Sequence, residues 1–116
     1  MDSNGAFTVK VHQEHGTDRV RIFPSGELDM GTAPILAAAL QAAESAAPQR
    51  IVVDLRHLLF MDCRGLRVLL GAHERAGNGG WSLSVVHPAR RVRRILELTG
   101  TARTMADGAL TRTPLR

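Results

Sequence analysis

The chain has 116 residues, 44% of them hydrophobic and 22% charged, with a formal net charge of +4, which is the profile of one globular domain able to bury roughly 65% of its unfolded surface. No apolar run approaches the roughly 20 residues of a membrane span. The opening MDSNGAFTVK lacks the basic-then-apolar order of a secretory signal, and one cysteine cannot form an internal disulfide, so a cytoplasmic location is expected.

Phe7, Val9 and Val11 alternate with polar residues as in a half-buried strand, Gly16, Thr17 and Asp18 read as a turn, and Arg19 to Phe23 form the second arm of a hairpin. Pro24 has no amide hydrogen, so that arm should end at an edge or where pairing stops. Gly26 to Gly31 then read as a loop carrying Glu27 and Asp29. Thr32 is placed to cap a helix that accommodates Pro34 in its first turn and aligns Ile35, Leu36, Ala39, Leu40 and Ala43 on one face, with Pro48 marking its end. Ile51, Val52, Val53 and Leu55, interrupted by Asp54, have the near-continuous apolarity of a central strand. Leu58 to Met61 follow as a second apolar stretch leading to Asp62.

From Gly65 the period changes. Leu66, Leu69, Leu70 and His73 recur at helical spacing, and Gly77, Asn78, Gly79 and Gly80 stop the helix. Trp81, Leu83 and Val85 alternate as another strand. His87 and Pro88 turn the chain into a third helix with Val92, Ile95, Leu96 and Thr99 on one face, closed by Gly100 in the left-handed position. Arg103 to Ala106 are expected to add a short edge strand. The order is that of an α/β fold: the hairpin requires antiparallel pairing and the strand–helix–strand units require parallel crossovers, so the sheet should be mixed, with four to five strands. One domain over residues 6–107 is expected, between a flexible N-terminus 1–5 and a flexible tail 108–116.

Nothing in the chain carries the signature of an enzyme, a metal site or a cofactor: GxSxG, a P-loop, a strand followed by GxGxxG, and HExxH are all missing. His12 and His15 read as a surface pair flanking a turn, and His73 as a helix-packing or rim residue. Glu27 and Asp29 are two carboxylates of one loop, better suited to solvation or partner contact than to acid–base work. Arg90, Arg91, Arg93 and Arg94 crowd the first turns of the third helix, where cations oppose the helix dipole. Either an outside partner or a solvated face covering apolar surface accounts for them. Arginine is otherwise scattered, and three Phe, one Trp and no Tyr offer no base-stacking platform, so nucleic-acid binding is the weakest reading.

The stretch FMDCRGLRVLL, residues 60–70, is more specific. A residue at the start of a helix faces free backbone amides that favour negative charge. A hydroxyl at position 63 could therefore gain a phosphate, of about −1.5 to −2 charges, that alters the surface without refolding the domain. The residue there is Cys63, followed by Arg64.

On three motifs in order, GELDMGTAP (Gly26 to Pro34), VVDLRHLLFMD followed by CRGLRVLL (Val52 to Leu70) and VRRILELTG (Val92 to Gly100), the sequence resembles the STAS domains of anti-sigma factor antagonists. The resemblance runs from about Phe7 to Gly100. It implies helices packed mainly against one face of the mixed sheet, and a binding function: docking an anti-sigma factor that is a serine kinase of the ATPase type, with phosphorylation of a serine dissolving the complex. In the family the motif runs Asp, Ser, Ser or Thr, Gly, Leu; Asp62, Gly65 and Leu66 match, whereas Cys63 stands at the modified serine and Arg64 at its hydroxyl neighbour. The resemblance thus assigns partner contact to Glu27, Asp29, Asp62, Cys63, Arg64, Gly65 and Arg67, with no catalytic residue and no phosphorylatable hydroxyl at position 63. Two classes of adapter follow. One docks without being switched; the other uses Cys63 as an oxidisable thiol. A small, semi-buried Cys63 with no redox role is preferred to the sensor, and the oligomeric state stays open between monomer and dimer.

Overall fold

A computed structural model describes residues 7–100. The expected edge strand at Arg103 to Ala106 and the terminal segments 1–5 and 108–116 lie outside the described residues. The elements are β1 (Thr8–Gln13), β2 (Arg19–Leu28), α1 (Ala33–Glu44), β3 (Arg50–Asp54), β4 (Leu58–Met61), α2 (Cys63–Gly79), β5 (Ser82–Val86) and α3 (Arg90–Leu98). They form an α/β fold whose mixed five-stranded sheet runs β1-β2-β3-β5, with β4 paired to β2.

β1 and β2 are antiparallel, with Val9 opposite Pro24 and Val11 opposite Ile22. β3 lies parallel between β2 and β5, which is why its residues from Ile51 to Asp54 are all buried. Strand alternation then sorts the side chains. Val20, Ile22, Ile51, Val53, Leu83 and Val85 join one core with Leu36 and Leu40 of α1, Leu66, Leu69 and Ala72 of α2, and Val92 and Leu96 of α3. Val52 and Val86 point the other way and form a separate pair. All three helices therefore pack on one face of the sheet. Each fully buried Ile, Leu or Val of the shared core contributes about 2 kcal/mol by its removal from water.

The structure departs from the sequence reading at four places, each with a local cause. β2 does not end at Phe23: it continues to Leu28, so Glu27 is a strand residue and not part of a loop. β2 pairs with β3 up to Ile22 and with β4 from Gly26 onward, and Pro24 lies between the two ladders, where its missing amide hydrogen interrupts neither. Second, Leu58 to Met61 are a strand. Third, α2 begins at Cys63 and runs through Gly77, Asn78 and Gly79, and only Gly80, at φ 80°, turns left-handed to close it. Fourth, Thr32 makes no side-chain cap to α1, and Ile35 is 48% exposed although it was expected on the buried face. Gly100 closes the third helix in the left-handed region, at φ 78°, as expected.

The pairing of β2 with β4 contains a bulge. Gly26 sits opposite Leu58 but Glu27 sits opposite Phe60, so Leu59 is an extra residue. Simple alternation would hide Phe60. Instead Leu58 and Met61 are fully buried while Leu59 and Phe60, side by side, are 63% and 40% exposed.

Behind the sheet, Asp54 is fully buried and held by two arginines. Its Oδ1 accepts from the Arg56 amide (3.1 Å) and Nε (3.0 Å), and its Oδ2 from Arg56 Nη2 (2.9 Å) and Arg21 Nη1 (3.2 Å). Burial, the strongest influence, pushes this carboxyl up. The hydrogen bonds and charge of Arg56, aided by His87, outweigh it and hold the group below the usual aspartate range.

Candidate functional site

Leu28 of β2 lies opposite Met61 of β4 in a parallel register. The residues that follow, Asp29 and Asp62, therefore leave the sheet side by side at the same end, the first into the turn that precedes α1 and the second directly into α2. Asp29 Oδ1 accepts from the amides of Gly31 (2.9 Å) and Thr32 (3.1 Å). Thr32, instead of capping α1, accepts from the Asp29 amide (2.9 Å) and donates to the Glu27 carbonyl (2.7 Å). At the second exit Asp62 is a true N-cap, its Oδ1 accepting from the amides of Arg64 (2.9 Å) and Gly65 (3.1 Å), while its own amide donates to the Leu28 carbonyl (3.1 Å). This last bond ties the start of α2 to the end of β2.

Gly65 completes the junction. A Cβ on it would stand 2.6 Å from both Cγ and Cδ2 of Leu28 and 3.1 Å from Cγ of Met61. Glycine is what lets α2 lie this close to the sheet, and its burial makes it a packing residue rather than a surface one.

The sequence-predicted site residues thus meet at one corner but do different work. Glu27, Cys63, Arg64 and Arg67 are exposed there. Asp29 and Asp62 spend a carboxylate oxygen on backbone amides, and Gly65 is enclosed. Cys63, expected to be semi-buried, is an exposed free thiol at the first position of the helix. Two of the first-turn amides expected to attract an anion at position 63 are already engaged by the Asp62 carboxylate, so a new charge there would project outward from the helix start. Arg64 and Arg67 make no ion pair among the described residues. Met30, 62% exposed, and Ile35 flank the corner in the chain at the start of α1. The sequence reading missed both as site residues, although Met30, an apolar residue next to Asp29 in a predicted loop, was a visible signal. Among the described residues there is no cluster of three or more potential metal ligands, and no helix is long and apolar enough to cross a membrane. His12 and His15 are exposed.

Comparison with known proteins agrees with the motif resemblance. A family model described as "Mlab, STAS domain" matches residues 10–111. An anti-sigma-B factor antagonist of Listeria monocytogenes is 32% identical over 88 residues, 76% of this chain and 77% of that protein. An anti-sigma F factor antagonist of Paenibacillus polymyxa is 29% identical over 98 residues, 84% of each. Among solved structures, that of an anti-sigma factor antagonist from Mycobacterium paratuberculosis superposes with a TM-score of 0.81 at 29% identity, covering 95% of this chain and 90% of that one.

Proposed function

The chain belongs to the STAS domain family, and from that membership we propose that it is an anti-sigma factor antagonist whose docking is not switched by phosphorylation. Its partner is an anti-sigma factor of the serine-kinase, ATPase type, bound in the cytoplasm, and the protein contributes a surface and no turnover. The observation that carries this reading is the α2 corner: Asp62, Gly65 and Leu66 keep the junction of α2 with β2 and β4 as the family motif has it, while the two exposed positions between them hold Cys63 and Arg64. The features that shape the surface are kept, and the hydroxyls that would take phosphate are replaced. Arg64 adds positive charge where a phosphorylated relative would acquire negative charge, so the partner's kinase site meets a residue it cannot modify and a charge of the opposite sign.

The test is to incubate the purified protein with each ATPase-type anti-sigma factor of its source organism, with ATP. A complex that persists, with no phosphate on residues 60–70, is expected. Phosphate in that segment overturns the unswitched reading, and failure to bind any such partner overturns the docking itself. The Arg64→Glu variant should weaken the complex by about tenfold or more if the corner is the contact.

A further inference from the structure

Where α3 packs against β4, an open groove of about 800 Å³ is lined by Glu27 of β2, Leu59 and Phe60 of β4, and Ala89, Arg90 and Arg91. We propose that this groove docks an acidic segment of a partner protein through an apolar anchor side chain. Its base is apolar because of the bulge, which turns Leu59 and Phe60 outward together; without the extra residue Phe60 would point into the core. Two adjacent large apolar side chains exposed on a strand mark a contact surface more than scattered single ones do.

The charge of the groove selects the occupant. Arg90, Arg91, Arg93 and Arg94 stand within a nine-residue helix that has no acidic residue in its first turn, and none of them makes an ion pair among the described residues. Cations at that end oppose the helix dipole, so among the described residues their charges are an uncompensated cost. A partner's carboxylates offset it, and because each guanidinium offers a planar fork of donors, the contact is directional. Glu27, on the opposite wall, repels acids from its side and so orients the segment with carboxylates toward α3 and the apolar anchor over Leu59 and Phe60. A nucleic acid fits less well, since its phosphates gain nothing from Leu59 and are repelled by Glu27.

This inference shares only Glu27 with the α2 corner and is tested apart from it. The probe is a short fluorescein-labelled peptide alternating glutamate with leucine, titrated into the full chain at low salt, with amide chemical shifts recorded in parallel. Saturable binding is expected, with shifts concentrated at Leu59, Phe60, Ala89, Arg90 and Arg91. Replacing every glutamate of the peptide by lysine, or every leucine by serine, should weaken it by about tenfold, as should the Leu59→Ser and the Arg90→Glu/Arg91→Glu variants. Arg64→Glu, outside the groove lining, should weaken it far less than the groove variants do. The altered side chains are exposed, and the shifts of the parent protein alone locate the site should a variant fail to fold. The proposal is overturned if the peptide does not bind, if its shifts fall elsewhere, if it binds the arginine variant equally well, or if duplex DNA or a second copy of the chain occupies the groove in preference.

Discussion

Replacing Gly65 by alanine should destabilise the protein, although the same change at Gly77 of the same helix should stabilise it. The new Cβ would stand 2.6 Å from two carbons of Leu28, whereas carbon atoms rest at about 3.5–4.0 Å, so about 1 Å of clearance must be found. Leu28 is fully buried in the shared core and cannot swing away. Overpacking of this kind costs about 1–3 kcal/mol, against a helix-propensity gain of at most about 1 kcal/mol for Gly→Ala. The net loss is about 1–2 kcal/mol. Gly77 is exposed in the same helix and a Cβ there meets nothing within 4 Å, so Gly77→Ala keeps the propensity gain, about 0.5 kcal/mol near a helix end. Urea unfolding reads both. With a slope of about 1.5 kcal/mol/M, the midpoint should fall by about 1 M for Gly65→Ala and rise by about 0.3 M for Gly77→Ala. A Gly65→Ala protein as stable as its parent would refute the claim that this glycine sets the approach of α2 to the sheet.

Other outcomes follow from the same contacts. Asp62→Ala removes the acceptor of two first-turn amides and should cost about 1 kcal/mol in thermal melting, whereas Asp62→Asn, which keeps an acceptor oxygen, should cost less. Because Arg56, aided by His87, holds the Asp54 carboxyl below its usual range against the cost of its burial, this pairing adds stability that is in full force above about pH 3.9 and is lost as pH falls through the lowered value in the folded state. Acid unfolding of parent and Asp54→Asn should therefore diverge at neutral pH and converge below about pH 4; a constant gap across that range would exclude the linkage. Arg75 bonds Glu44 through Nε (2.9 Å) and Nη2 (2.8 Å), bridging α2 to α1, yet it is 44% exposed. Arg75→Ala should cost under about 1 kcal/mol, and less still at high salt.

The parts of the fold legible in the sequence were those where one period held over a whole element. Ile51 to Asp54, Leu83 to Val86 and the α3 face from Val92 to Leu96 show the pattern that their burial requires. β4 was hard to read because it is four residues long, wholly apolar and bulged, so neither alternation nor length marked it as a strand. The extension of β2 past Pro24 depends on a change of strand partner, which is a property of the assembled sheet. The last turn of α2 runs through Gly77, Asn78 and Gly79 against their intrinsic preference, so propensity misplaced its end. At the corner, the motif placed Asp62, Cys63 and Gly65 together, but it could not separate the aspartates that hold backbone amides and the glycine that admits Leu28 from the side chains that face outward. That distinction comes from hydrogen-bond geometry and close packing, which a string of letters does not carry.

The extra residue of β4 also bears on how such a protein can change over generations. Leu58 and Met61 answer to the interior, whereas the two positions between them, Leu59 more than Phe60, answer in large part to whatever arrives from outside. Mutation can therefore sample new chemistries at Leu59 and Phe60 with little penalty to folding, so that a lineage could acquire a different binding preference while inheriting the same scaffold.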